Sequence, residues 1–372
     1  MGEETNHETR AGQRLKPVHL AFLGCGFITQ VHSRHLRKMR RDFVCSYASR
    51  DAARAAEYQR RLGGVGHYDS YEEAIDDPEI DAVVVAVPTR YHPELALQAL
   101  EAGKHVLVEK PAFALLDDYR NVIEARDRAG RVVIIGENDH YKPLCIVLRR
   151  LLAEGAIGEL VFGHFVTIMK KPKAADDWRN DEEMAGGDAF FEEGIHWLHI
   201  ADSLGPRIRT IHGYRPPPSA LGPLEGDARR KSMLVSFQYD NGAAGALYYS
   251  REIPSLFRGL RLSKLFGRDG IITFESNGLV LLARGRGLPR LMLPGFRDIR
   301  GYRSMYRDFA GAIREGGAPQ MSLERGMEDH RLMDAAHASA EAASPDEAGE
   351  PAASPQSAAS PGSAQPTESA GS

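Results

Sequence analysis

The sequence predicts an α/β protein, with a doubly wound parallel sheet followed by a second α/β unit built on a large open antiparallel sheet. Three observations predict it. Near-continuous Val and Ile runs, such as IDAVVVAV at 80–87, alternate with helix-period segments through the first 140 residues. That is the pattern of parallel strands buried on both faces. Apolar–polar alternation replaces it later, with Met233, Val235, Phe237 and Tyr239 on one side of the run MLVSFQY. Three pairs, Asn241-Gly242, Asp269-Gly270 and Asn277-Gly278, then separate apolar runs, as residues that accept positive φ do in hairpin turns.

In chain order, VHLAFLG (18–24) is a strand, followed by a segment with Val31, His35 or Leu36, and Met39 at helical spacing. FVCSYAS (43–49) is a second strand, and an Ala- and Arg-rich helix after it ends near Gly63. Ser70 with Glu73 has the spacing of a capping box before a short helix. Strands at 80–87, 105–109 and 131–136 enclose helices at 94–102 and about 116–129. Two final helices, about 302–315 and 325–340, close the chain. The expected units are 17–140 for dinucleotide binding and 141–340 for substrate binding and oligomer contacts. Residues 1–16 are polar throughout, and 341–372 are built from Ala, Ser, Pro, Gly and Glu with no periodic apolar face, so both are expected to be disordered.

Composition narrows the function classes. An apolar content of 42% is enough for a sizeable core, and a net charge of -4 gives no basic excess for a nucleic-acid surface. Three cysteines without CxxC spacing suggest a reducing compartment and neither a disulfide framework nor a zinc ribbon. The start has no apolar signal region, and AVVVAV is too short to span a bilayer. A cytoplasmic protein without membrane partners is expected.

Gly24-Cys25-Gly26-Phe27-Ile28-Thr29 opens the first strand-to-helix turn, where a dinucleotide fingerprint belongs. Gly24 would make the tight turn, and Gly26 would let backbone amides approach a pyrophosphate at a helix N-terminus. Thr29 occupies the third glycine position, so the motif is incomplete. The second strand ends in Ser49-Arg50, where a ribose-binding acid would mark NAD. A hydroxyl beside a guanidinium suits a 2′-phosphate, so NADP is preferred and NAD is the alternative. Two more strands end at the same carboxyl edge, one in Pro88-Thr89-Arg90-Tyr91-His92 and one in Glu109-Lys110-Pro111. Pro88, Thr89, His92, Glu109 and Lys110 are therefore candidate cofactor contacts, and Lys110 could also donate to a substrate oxygen.

The stretch GGDAFFEEGIHWLH (186–199) sets carboxylates and two histidines among bulky apolar residues. Together with AFLGCGF, IDAVVVAVPTRYHPELALQALEAGKHVLVEKP, GENDHYKPL, AEGAIGEL and DDWRNDEEMAGG, it resembles the Gfo/Idh/MocA oxidoreductases over about 18–340. The resemblance implies a Rossmann domain followed by an α/β domain with an open antiparallel sheet. It also implies a catalytic group formed by the lysine of Glu-Lys-Pro with the Asp and His of an Asp-x-Gly-x-His segment. On this chain these are Lys110 and His196, with Glu192 in the Asp position. If the segment is helical, Glu192 and His196 lie one turn apart and Glu192 would orient His196.

Three readings of 186–199 are open: proton transfer through His196, a metal held by Glu192, His196 and His199, and a helix N-terminus with satisfied histidines. The proton-transfer reading is preferred and no metal is expected. Trp178, Arg179 and His199 are candidate substrate contacts. The resemblance implies hydride transfer with a sugar, inositol or related polyol-like substrate, and a homo-oligomer, dimer or tetramer. A cofactor-binding protein with little or no turnover is the alternative, supported by Glu192 and the missing third glycine.

Overall fold

The computed structural model describes residues 16–171, 173–174, 177–216, 231–255 and 261–343. The two terminal segments expected to be disordered fall, except for their inner edges, outside these residues.

The first sheet follows β1 (Val18–Leu23), α1 (Phe27–Leu36), β2 (Phe43–Ala48), α2 (Ala52–Leu62), β3 (Gly66–Tyr68), α3 (Tyr71–Asp76), β4 (Ala82–Val85), α4 (His92–Glu101), β5 (His105–Val108), α5 (Leu116–Ala129) and β6 (Val133–Ile135). Strand order is β3-β2-β1-β4-β5-β6 and every pair is parallel. Strand β3 has three residues, too few to show a period, and so escaped the sequence reading. The cap at Ser70 forms as expected, with its hydroxyl accepting from the Glu73 amide at 3.0 Å. Glu73 reaches back to the Asp69 amide, one residue short of the reciprocal bond of a capping box.

The second sheet follows α6 (Pro143–Ala153), β7 (Leu160–Ile168), α7 (Glu182–Ala185), α8 (Ala189–Asp202), β8 (Ile208–Tyr214), β9 (Ser232–Tyr239), β10 (Ala244–Ser250), β11 (Leu262–Gly267), β12 (Gly270–Glu275), β13 (Leu281–Arg284) and β14 (Arg290–Met292). Its order is β14-β13-β12-β11-β7-β10-β9-β8. The pairing is antiparallel except between β7 and β10, so the sheet is mixed at its centre. All three predicted turns join neighbouring strands, though one does so for a different reason. Gly242 and Gly278 have φ of 85° and 88°. Gly270 instead starts a strand, and a Cβ there would stand 2.0 Å from the Arg284 carbonyl oxygen, so strand proximity requires the glycine.

One face of the second sheet packs on α8, and its core includes Phe165, Phe190, Trp197, Phe237 and Tyr249. The register places Phe162, Val166, Tyr248, Leu262, Phe266, Ile271, Leu282 and Leu291 on the opposite face. Phe162 is 57% exposed and Leu291 71%, so that face is open, with its apolar side chains set among His164, Lys264, Thr273 and Arg284.

The last two helices tie the halves together. Helix α9 (Tyr302–Glu315), placed by sequence position in the second unit, instead completes the core of the parallel sheet. Its Tyr302, Met305, Tyr306 and Phe309 pack with Phe22, Val31, Phe43 and Leu107. Helix α10 (Leu323–Ala342) spans both cores, with Leu323 on the parallel sheet and Met333, Ala336 and Ala340 on the mixed one. Residues 141–340 are thus not one continuous body, because the chain returns to bury the α1 face of the first sheet. No helix among the described residues is long and apolar enough to cross a membrane.

If α9 belongs to the first core, Phe309→Ala should cost about 3–5 kcal/mol, the range for emptying a fully buried aromatic site. Denaturant melts should show a loss matching that of Phe22→Ala in the same cluster. A loss below about 1 kcal/mol would show that α9 is not docked there.

Candidate active site

The first glycine turn is built as a nucleotide cradle. Gly24 has φ of 111°, and a Cβ there would stand 2.5 Å from the Ala86 carbonyl oxygen. Only glycine fits between β1 and the end of β4. Gly26 precedes α1 without a side-chain cap, which leaves the first amides of the helix available to an anion. A Cβ on Gly26 would meet no protein atom within 4 Å and would project into open space. Thr29 fastens the turn by donating to the Gly24 carbonyl at 2.6 Å, a role the missing third glycine could not supply. Cys25 faces the same turn, but burial pushes its thiol up to about 12, so it is not a nucleophile.

A cleft of about 490 Å³ runs over this turn. Its lining includes Gly24, Gly26, Phe27, Ile28, Ser49, Arg50 and Pro88, all among the candidate cofactor contacts. Asp51, Arg54 and Tyr71 join it, unforeseen from the motif. Asp51 accepts from the Arg54 amide and caps α2. Ser49 accepts from the Asp51 amide at 3.2 Å, so the serine also shapes the loop that presents Arg50. The open amides, the glycine cradle and the paired arginines fit the phosphates of a dinucleotide.

Several candidate residues sit elsewhere than expected. Trp178 and Arg179 line this cofactor cleft rather than a separate substrate wall. His92 is 1% exposed, and its ring nitrogens lie 2.9 Å from the Val87 and Ala112 carbonyl oxygens. It fastens the end of β4 to the loop after β5 and does not face the cleft. Thr89 is also buried. Glu109 turns inward to pair with His32 Nε2 at 2.8 Å, and His32 Nδ1 meets the Tyr306 hydroxyl at 2.6 Å. Burial alone would raise the Glu109 carboxyl, but His32, and then Lys110, hold it below the ordinary range.

Lys110 and His196 come together at the carboxyl edge. Lys110 Nζ donates to the backbone carbonyl of Glu192 at 2.9 Å, which places it over α8. His196, on the same helix, brings Nδ1 within 2.7 Å of both oxygens of Glu137. A carboxylate only accepts, so His196 carries its proton on Nδ1 and presents Nε2 as the basic nitrogen. Asp139 lies in the same field; burial would raise its carboxyl, but Lys142, His196 and Lys110 hold it low. The ligand atoms of Glu137, Asp139 and His196 lie within 4.8 Å of one another. Lys142, 2.5 Å from Asp139, already supplies the positive charge there.

Two expectations about α8 are therefore corrected. Glu192 does not orient His196. Its carboxylate turns away to Lys173 at 2.6 Å and Arg251 at 3.0 Å, with Arg179 at 3.7 Å. Three cations hold its carboxylate away from His196. Burial would raise its carboxyl, but Lys110, Arg251 and Lys173 lower it. That network contributes stability at neutral pH and loses it as pH falls through the carboxylate range. His199 is fully buried, bonded to Asp329 at 2.8 Å and to His140 at 2.9 Å, and is no substrate contact. The metal set of Glu192, His196 and His199 is not assembled.

Glu137 was overlooked, although it follows β6 at the edge that supplied Lys110. Arg251 and Lys173 had no local signal.

The model of the oxidoreductase family with an NAD-binding Rossmann fold matches residues 18–137, and that of the GFO/IDH/MocA C-terminal domain matches 146–272. Levoglucosan dehydrogenase of Pseudarthrobacter phenanthrenivorans is 24% identical over 86% of this chain and 88% of its own length. The NADP-dependent scyllo-inositol 2-dehydrogenase of Bacillus subtilis is 23% identical over 78% of this chain and 85% of its own. A solved levoglucosan dehydrogenase in complex with NADH and levoglucosan superposes with a TM-score of 0.78 at 22% identity, covering 88% of this chain and 98% of that one. The aldose–aldose oxidoreductase of Caulobacter crescentus gives the same TM-score at 20% identity, with coverage of 88% and 98%. The glycine cradle, the carboxyl-edge lysine and histidine, and the two matching models together place the chain in the GFO/IDH/MocA oxidoreductase family.

Proposed function

We propose that the protein transfers a hydride between a nicotinamide, NADP in preference to NAD, and a carbinol or carbonyl carbon of a sugar, inositol or related polyol-like substrate. The bond from His196 Nδ1 to Glu137 carries this reading, because it leaves Nε2 as a positioned base. The names of the relatives, dehydrogenases of levoglucosan and scyllo-inositol, support the substrate class.

The nicotinamide supplies the hydride chemistry when bound. The chain's own residues hold it and manage one proton. Amides at the start of α1 and Arg50 hold the phosphates, and Trp178 with Arg179 closes the cleft from the second unit. In oxidation, His196 Nε2 takes the hydroxyl proton, and Glu137 steadies the imidazolium that forms. Lys110 Nζ, with one proton bonded to the Glu192 carbonyl, has others to donate to the substrate oxygen and offset its growing negative charge. In reduction the same groups work in reverse. The departure at position 192, which favoured a non-turning binding protein, loses its weight because Glu137 supplies the orienting carboxylate.

The open sheet face is read as the contact between copies of this chain. Eight apolar side chains arrayed across β7, β10, β11, β12, β13 and β14 favour a second copy over water.

His196→Asn and Lys110→Met should each cut turnover by about 10²–10⁴-fold, with NADPH binding kept in His196→Asn. Glu137→Gln should lower kcat, and Glu192→Gln should act mainly on stability by leaving buried Arg251 and Lys173 underpaired. Full activity in His196→Asn, measured by NADPH absorbance with a panel of keto sugars, would refute the proton assignment.

Arg50→Leu should weaken NADPH about 10- to 100-fold and leave NADH nearly unchanged, the loss of one charge-assisted contact. Tighter binding of NADH than NADPH by the unmodified protein would overturn the cofactor preference.

Replacing Phe162 and Leu282 by Glu should turn the assembly into monomers in sedimentation experiments. An unchanged oligomer would move the interface elsewhere.

A further inference from the structure

Glu137 and His196 each have a neighbour three residues further on, His140 and His199, to which the proposed chemistry gives no role. The four side chains form two rungs between the turn after β6 and helix α8. One rung is Glu137 to His196 at 2.7 Å; the other is His140 Nδ1 to His199 Nε2 at 2.9 Å. The spacing is three residues on both elements, 137 to 140 and 196 to 199, so the turn and the helix are clamped in a single register.

The second rung is anchored at both ends. His199 Nδ1 lies 2.8 Å from Asp329 Oδ2 on α10, and Arg325 holds the other Asp329 oxygen at 2.7 Å. Arg325 also reaches Asp202 at 2.8 Å, and Asp202 accepts from the Ile208 amide at 2.6 Å. On the outer side, His140 Nε2 meets the Gln320 amide at 3.1 Å, and Arg149 donates to the His140 carbonyl at 2.8 Å.

Proton bookkeeping is consistent along the line. Burial, helped by His199 and Arg149, holds His140 down to about 3, so it is a neutral imidazole with one donor and one acceptor. His140 Nε2 faces the Gln320 side-chain oxygen and donates to it, so His140 Nδ1 accepts from His199 Nε2, and His199 Nδ1 donates to Asp329. The Gln320 amide needs no rotation for this, since its oxygen is the atom that stands 3.1 Å from Nε2. A buried polar line satisfied at every step specifies one geometry, and it loses that specificity when a member is removed.

We propose that His140, His199 and Asp329 form a positioning triad that fixes the Glu137-bearing turn against α8 and thereby holds His196 in its Nδ1–H tautomer. The proposal rests on the assignment of His196 as proton carrier, but its structural part can be read without any substrate. With the second rung removed, the turn keeps its ties to Arg300, Asp308 and Arg149 but meets α8 through the Glu137 bond alone, which is then less tightly held. Glu137 then spends time away from Nδ1, and the proton redistributes between the ring nitrogens. None of the three triad residues lines the cleft over the glycine turn.

The test uses full-length protein with isotope-labelled histidines. Long-range nitrogen–proton spectra report each ring's tautomer, and His196 is assigned by its disappearance in His196→Asn. The expected result is a single Nδ1–H tautomer in the unmodified protein and a mixture in His140→Phe, which keeps ring volume but removes both bonds. His140→Gln, which can still bond to His199, should restore the single tautomer. If His140→Phe fails to fold, Asp329→Asn is read in its place, because it weakens the same line from the far end. In turnover with the best polyol substrate, His140→Phe should lower kcat about tenfold with KM nearly unchanged. The double mutant Glu137→Gln/His140→Phe should be no slower than Glu137→Gln alone, since the two act through one bond.

A pure Nδ1–H tautomer in folded His140→Phe would overturn the proposal, as would multiplicative losses in the double mutant. Normal turnover in His196→Asn would refute the proton-carrier reading instead, with the tautomer spectra still deciding the clamp.

Discussion

The hydrogen bond between the Glu137 carboxylate and His196 Nδ1 joins the carboxyl edge of the parallel sheet to the helix lying over the mixed sheet. Each partner comes from a different layer, so the bond exists only when both sheets are formed and docked. Much of the surrounding structure serves that docking. Helix α9 returns to cover the α1 face of the first sheet, and α10 runs from one core into the other. Lys110 reaches across from β5 to the backbone of α8. A site divided between two bodies requires such ties, because a shift of about 1 Å between them would remove the geometry that proton transfer needs.

Burial of charge is the second constraint. Glu109 with His32, Glu192 with Lys173 and Arg251, and Glu193 with Arg251 lie in poorly hydrated places near the site. A buried carboxylate is stable only with its cations and donors in place. Pairs of this kind contribute little net stability, yet removing one partner is costly. The arrangement therefore favours a unique geometry around Lys110 and His196 more than it favours stability.

Much of the fold was legible in the sequence. Helix α5 was placed at its observed ends, and the positive-φ turns at Gly242 and Gly278 follow from residue type. These are local properties: periodicity, capping and backbone preference act over a few residues. The glycine cradle was legible for the same reason, since one strand-to-helix turn contains all its parts. Lys110 and His196 came from a resemblance to known motifs. Their separation along the chain gives no physical clue that they meet.

The sequence by itself determined the alternation of strands and helices, the two-sheet architecture and the nucleotide turn, and its resemblance to known motifs singled out His196. Only the tertiary structure decided which carboxylate meets that histidine. Glu192, one turn away on the same helix, was the obvious choice from helical spacing. Three cations from the loop after β7 and the end of β10 draw it aside, and Glu137 arrives from the far end of β6. The same holds for His199, whose partners His140 and Asp329 lie 59 and 130 residues away. Helical spacing fixes which residues share a face, but the elements packed against that face decide what each one bonds.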